Sequence, residues 1–404
     1  MASNDLTFNQ ISTLLNSINA QATGKTAIVA TNTHDFVTQA QATLKTGYDT
    51  VLSAISQVLS RTIFSIRPYS AKFRGMMVSA QRYGNHVRKL NIADKDYRDD
   101  DRSPLTDGQS VDQQLVNKAN ILQTNFYGEN VFEDSYTVFR DQLDVAFSGP
   151  EELARFVTMV TTNANDKLEM SRENLSRAML ANYIGAKIVT AGNAIEDSES
   201  VVHLLTEYNT LCGLTGDDAL TSSTVYLPAN FKPFMEWVYS RIAELSALLT
   251  ERTLKFHVNP TVASVAKPIS RHTPYDRQRV YLYAPAQYQI EARVLADAYH
   301  DNYLKYADHE TVNFWQSATT RDKILVHPNY MLADGTYGYT TQDIEKAGVF
   351  GVIMDEETMG WTPVNQWQAP APFNARGGYT TVWIHETQRS WTDMTENGIV
   401  LLLD

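Results

Sequence analysis

Between the Ser148-Gly149-Pro150 start signal and Gly192 the chain runs for about forty residues with unbroken helical periodicity, far beyond the usual globular helix. Leu153, Phe156, Val157, Val160, Ala164, Leu168, Leu175, Ala178 and Met179 recur at spacings of three and four. Arg155, Asp166, Lys167, Glu169, Arg172 and Glu173 take the other faces. At about 1.5 Å per residue such a helix spans roughly 60 Å, more than a compact domain needs. It is expected to be a spine that carries other modules; the alternative is a long core helix of an ordinary enzyme.

The chain has 404 residues, enough for two or three domains at roughly 100 to 200 residues each, and its 43% hydrophobic content supports a real core. A formal net charge of −12 argues against a protein whose task is to grip nucleic-acid phosphates, because counterion release needs clustered Lys and Arg. No run of about 18 apolar residues is present, and Met1-Ala2-Ser3-Asn4-Asp5 lacks the basic-then-apolar pattern of a secretion signal. The expectation is a soluble, cytoplasmically made protein from which no large propeptide is cut. Cys212 is the one cysteine, which excludes an intrachain disulfide and a cysteine-rich zinc site; a buried inert thiol is expected.

Residues 5 to 60 are rich in Ser, Thr, Asn, Gln and Ala, with two amphipathic helical stretches separated at Thr23-Gly24-Lys25. Short helices of this kind are marginal without a partner surface, and an arm lying on a neighbour fits. From Arg61 the character turns aromatic and basic, followed by the charged tract Asp94 to Arg102. Phe126, Tyr127, Val131, Phe132, Tyr136, Val138 and Phe139 read as one side of a long hairpin. An isolated hairpin is marginal in water, so this excursion must lie on another subunit or on its parent domain.

After the spine comes a mixed α/β region in which apolar strands precede prolines. Val225-Tyr226-Leu227-Pro228 leads into a helix from Phe231 to Leu249, and Val280 to Pro285 leads into one from Gln287 to Tyr299. Lys323 to Pro328 is a strand followed by a loop, and Val349 to Met354 is a further strand. Tyr379 to Glu386 and Gly398 to Leu403 look like two strands of one sheet, and so apolar an end implies a packed C-terminus.

Motifs for chemistry are weak. Gly24-Lys25-Thr26 lacks the leading glycine of a phosphate loop, with Asn19 in its place, and the nine histidines show no ligand spacing. The Asp94 to Asp101 tract lacks the sixth-position glycine and the closing glutamate of a calcium loop, so a solvated intersubunit loop is the better reading. Neither a nucleophile elbow nor a dinucleotide fingerprint is present. An enzyme is therefore not expected, and no cofactor or metal is.

The order of arm, excursion, spine, α/β region and terminal strands, carried by Phe126 to Phe147 running into Pro150, by Arg279 to Tyr299 with Pro285 and the Ile290 to Ala296 helix, and by Gly377 to Asp404, resembles the major capsid protein of tailed bacteriophages. The similarity is greatest to the head proteins of short-tailed phi-twenty-nine-like phages. It implies an α+β fold of the Hong Kong 97 type: residues 1–65 an N-terminal arm, 66–147 the E-loop, 148–199 the P-domain spine, 200–369 the A-domain and 370–404 the P-domain C-terminal strands.

The resemblance further implies self-assembly into pentamers and hexamers of an icosahedral head, made in the host bacterial cytoplasm. Scaffolding protein, portal and non-specifically contacted packaged DNA are the implied partners, without a membrane. Arg74, Arg82, Arg88, Lys89 and Lys95 are the E-loop candidates for intersubunit contact, with Asp166, Glu169 and Glu173 as acidic partners on a neighbouring spine. Some relatives crosslink an E-loop lysine to a P-domain asparagine, for which Lys89 or Lys95 with Asn397 would serve. Deletion of residues 75 to 135 is expected to leave a folded monomer that does not assemble. An encapsulin-like compartment shell shares the same fold, and a soluble hydrolase with an unrecognised carboxylate pair is the alternative from another class.

Overall fold

The structure, a computed structural model, describes residues 8–23, 33–44, 51, 73–76, 86–94, 105–110, 114, 120–262, 265–285 and 309–404. Its helices are α1 (Phe8–Thr23), α2 (Thr33–Leu44), α3 (Arg140–Ala146), α4 (Pro150–Gly192), α5 (Leu204–Cys212) and α6 (Pro228–Leu248). The strands are β1 (His86–Ala93), β2 (Asn120–Tyr127), β3 (Asn130–Phe139), β4 (Val201–His203), β5 (Thr261–Val262), β6 (Val265–Ala266), β7 (Gln278–Tyr283) and β8 (His309–Val312). They continue with β9 (Ile324–Val326), β10 (Asn329–Met331), β11 (Tyr337–Tyr339), β12 (Ile344–Lys346), β13 (Val349–Asp355), β14 (Met359–Pro370), β15 (Tyr379–Thr392) and β16 (Gly398–Leu402).

The chain forms two compact units, one drawing on residues 1–84, 128–175 and 361–389, the other on 85–127, 176–360 and 390–404. The first is built on a three-stranded sheet in the order β14-β15-β3, with β15 antiparallel to β3 and Trp383 opposite Ser135. Ile11, Leu14, Leu15 and Ile18 stand on one face of α1 at helical spacing. They join a core with Phe36 and Ala40 of α2, Val138 of β3, Leu143 and Ala146 of α3, and Leu153 and Phe156 of α4. The partner surface that this apolar stripe was expected to need is supplied, over α1 and α2, by its own chain.

Glu151 and Glu152 in the first turn of α4 complement the positive end of the helix. The 43 residues run without interruption to Gly192, as the periodicity predicts. Beyond it Ala194 takes a left-handed φ of 54°, and the chain turns back so that the Ile195 and Glu196 amides donate to the Thr190 carbonyl. This return buries Glu196 against Lys187, whose ammonium also donates to the Phe256 carbonyl at 2.8 Å. Burial pulls the Lys187 pKa down, and Glu196 offsets part of that effect.

In the second unit a five-stranded sheet runs β4-β16-β13-β7-β8. β13 pairs antiparallel with both β16 and β7, whereas β16 and β4, like β7 and β8, are parallel. Every residue of β13 and β16 is buried, which is why both read as continuous apolar runs rather than alternating ones. Phe231, Phe234, Met235, Val238, Ile242 and Leu245 of α6 share a core cluster with Val280, Leu282, Ile353, Ile399 and Leu401.

Several expectations need correction. Val225 to Leu227 is a turn, held by bonds such as Thr221 N to Thr224 Oγ1 at 2.8 Å, and α6 starts at Pro228. Pro328 is followed by the β10–β11 hairpin rather than a loop. β15 and β16 lie in different sheets, since β16 supplies the apolar strand that β13 requires and β15 pairs with β3. The aromatic run breaks at Gly128, at a φ of 120°, into β2 and β3. β2 pairs with β1 and β3 with β15, so a deletion ending at 135 would remove more than half of a strand from the first unit's sheet. The helix expected over 287–299 lies outside the described residues.

Candidate functional site

β1 and β2 form an antiparallel hairpin in which Lys89 opposes Thr124, Asn91 opposes Leu122 and Ile92 opposes Ile121. Because side chains alternate across a strand, Arg88, Leu90, Ile92, Ile121 and Gln123 share one face, and Lys89, Asn91, Ala93, Leu122 and Thr124 share the other. The first face is open: Leu90 is 55% exposed, Ile92 68% and Ile121 59%. Asn91, Ala93, Leu122 and Thr124 are buried. The hairpin therefore turns Leu90, Ile92 and Ile121 outward beside Arg88 and Gln123 while it buries Asn91 and Thr124 beside Leu122, more exposed aliphatic and more buried polar side chain than an isolated soluble subunit requires.

A charged cluster holds the inner face. Lys89 Nζ lies 2.5 Å from Glu396 Oε1, 2.9 Å from Asp393 Oδ2 and 3.6 Å from Glu357 Oε2. Arg271 Nη2 donates to Asn91 Oδ1 at 2.8 Å and is 2.8 Å from Glu396 Oε1, while its Nε donates to the Thr395 carbonyl at 3.1 Å. Asn91 Nδ2 donates to Thr395 Oγ1 at 3.2 Å. At the end of β1 the Asp94 carboxylate accepts from the Ser270 amide at 2.6 Å and from Arg252 at 2.7 Å. Burial acts to lower the Lys89 pKa, but the Asp393 and Glu396 carboxylates outweigh it and hold the ammonium above the ordinary lysine value. Glu396 is itself pushed up by burial, an effect that Lys89 and Arg271 only partly reverse.

In the first unit Arg172 of α4 grips Glu386 of β15, with Nε and Nη2 each 3.1 Å from Oε1, and reaches Glu169 at 2.8 Å. Glu386 is wholly buried and accepts a further bond from Gln388 at 2.8 Å. The opposite face of this sheet carries exposed side chains: Val131, Phe139, Trp383, and Trp367 stacked on His385 with ring centres 4.0 Å apart.

These arrangements place the sequence candidates. Arg88 is exposed on the open face of the hairpin, whereas Lys89 is committed to carboxylates of its own chain. Glu169 is engaged by Arg172, Glu173 is buried, and Asp166 is half-buried on α4. Arg82, Lys95 and the side chain of Arg74 lie outside the described residues. Asn397 is fully buried, its amide bonded to His257 and Thr273, so within one chain it is occupied rather than presented to a lysine. Cys212 is exposed at the end of α5, not buried as expected, because the helix stops at Gly213 before its last turn is covered. The partners of Lys89 and Asn91 were not legible beforehand, since they lie some three hundred positions away; alternation in His86 to Ala93 was the available signal.

Among the described residues no helix is long and apolar enough to cross a membrane. A family model described as "Phi29-like phage major capsid protein" matches residues 11–402. Comparison with curated proteins gives no match. Among solved structures, a chain in the capsid structure of Staphylococcus phage Andhra is similar at 12% identity, with 85% of this chain and 87% of that chain covered and a TM-score of 0.54. A chain in the structure of head fiber and inner core protein gp22 of native bacteriophage P68 is similar at 12% identity, 85% and 87% coverage and a TM-score of 0.52. At such identities the likeness concerns the fold, which is of the Hong Kong 97 type.

Proposed function

This chain belongs to the Phi29-like phage major capsid proteins, whose role is to form the capsid shell, and from that premise we propose that the open face of the β1–β2 hairpin is where one copy covers another. The carrying observation is the open aliphatic face of the hairpin. Leu90, Ile92 and Ile121 face outward beside Arg88, and burying such side chains is worth about 1.5–3 kcal/mol each. Modest contacts of this size, repeated round a closed lattice, add up through effective concentration. The hairpin belongs to the E-loop, α4 is the spine and the β14-β15-β3 sheet is the P-domain sheet. The copies close into pentamers and hexamers, with scaffolding protein and portal in the assembling head and DNA inside it. A net charge of −12 fits a container that holds DNA without gripping it. Assembly takes place in the bacterial cytoplasm.

The test is the triple variant Leu90→Ser, Ile92→Ser, Ile121→Ser. Its circular dichroism and urea midpoint should match those of the parent, and electron microscopy should find free subunits instead of shells. Shells at the parental yield would overturn the reading.

A further inference from the structure

Asp393 is fully buried, and its Oδ1 is used within its own turn, accepting from the Thr395 amide at 2.8 Å and the Thr395 hydroxyl at 2.7 Å. Its Oδ2 faces the Lys89 ammonium, 2.9 Å away and carried in by the hairpin. Glu396, three residues on and also buried, accepts from that ammonium and from Arg271, which in turn holds Asn91. A buried carboxylate without a partner is strongly unfavourable, so a hairpin that swings away leaves the turn at 393–396 with an uncompensated charge. The inner face also buries Ala93 and Leu122 and sets Phe126 against Tyr337, with ring centres 6.0 Å apart, but such apolar contacts hold the hairpin without fixing its direction.

We propose that Lys89, Asn91, Arg271, Asp393 and Glu396 form a clasp that positions the β1–β2 hairpin on its own subunit and so sets the direction in which its open face is offered to the next copy. Lys89 and Asn91 are positioning residues: they bond to groups of their own chain and act through the orientation of Leu90, Ile92 and Ile121. Hydrogen bonds to charged groups are directional where apolar packing is not, which suits a contact whose task is aim rather than adhesion. The clasp rests on the reading that the hairpin is an assembly element.

Hydrogen exchange of the free full-length subunit and electron microscopy of its assembled product, applied to the same variants, test it. In Lys89→Met the amides of β1 and β2 should exchange at least about tenfold faster while those of β13 and β16 keep their protection, and the assembled material should be of mixed diameter or unclosed. Lys89→Arg should restore slow exchange and uniform shells. Asn91→Ala, which leaves no buried charge exposed, should shift both readouts the same way by a smaller amount and serves if Lys89→Met does not fold. Unchanged exchange of the hairpin in both Lys89→Met and Asn91→Ala would overturn the clasp. So would faster exchange with uniform shells, and that result would leave the open-face reading, tested by the serine triple variant, standing by itself.

Discussion

Tyr183, buried in the second half of α4, stands directly over Gly398 at the start of β16, so close that a Cβ at position 398 would collide with the tyrosine hydroxyl and lie 3.0 Å from its ring carbon Cζ. The glycine is needed for space, since the helix and the sheet meet there without room for a methyl group. Gly398→Ala should therefore cost about 1–3 kcal/mol by overpacking, read as a fall in the urea midpoint. The Tyr183 hydroxyl is buried and has no hydrogen-bond partner among the described residues, so Tyr183→Phe alone should be neutral or stabilising, and the double variant should recover part of the loss.

The Arg172–Glu386 pair fastens α4 to the β14-β15-β3 sheet by breaking one rule of soluble cores and obeying another. Arg172→Met leaves Glu386 buried with only Gln388 to serve it, and should cost about 3–5 kcal/mol in chemical denaturation. Adding Glu386→Leu should return most of that loss, because an apolar pair of similar volume replaces an ion pair at little net cost. Two losses that simply add would show that the two side chains act independently.

Asp404 sets an acid limit. Burial acts to raise its pKa, but the Lys346 ammonium and the His203 ring, whose Nδ1 lies 2.6 Å from Oδ1, outweigh it and hold the carboxyl below the ordinary aspartate value. A carboxyl with a depressed folded-state pKa contributes stability above its unfolded value of about 4, and loses it as the pH falls through the folded value. The parent protein should thus lose more stability than Asp404→Asn when the pH is lowered below about 4. Denaturant midpoints across that range measure the difference.

Cys212 should react as an exposed thiol. One equivalent per chain should be modified by a maleimide in the native free subunit, at a rate of the same order as in urea. Slow native modification that speeds up on unfolding would contradict the exposed position of the residue at the end of α5.

Much of the architecture was readable in advance where the signal is local. The spine announced itself through Pro150, a stripe of period 3.6 and a glycine stop. Val280 and Val349 to Met354 lie in strands where apolar runs predicted them. What misled was also local: Val225-Tyr226-Leu227 has strand composition, yet the Thr221–Thr224 bonds turn it, and the aromatic run through Gly128 divides between two sheets. In the candidate site, the basic character of β1 was legible but its destination was not. Arg88 and Lys89 are adjacent in sequence and identical in charge, and the pleat alone sends one to solvent and the other to Asp393 and Glu396.

The sequence by itself determined the elements and the class: a helix far longer than the usual, apolar strands toward the end of the chain, an acidic net charge, and the family pattern that these make together. Only the tertiary structure decided which strand lies beside which, that β16 completes one sheet while β15 completes another, and that the hairpin turns its aliphatic face outward over a clasp of charges. The division has a physical cause. Helix periodicity, capping and turn chemistry act over a few neighbouring residues and leave their mark in order along the chain. Sheet partners and ion pairs such as Lys89 with Glu396 join positions hundreds of residues apart, and exist only once the chain has closed on itself.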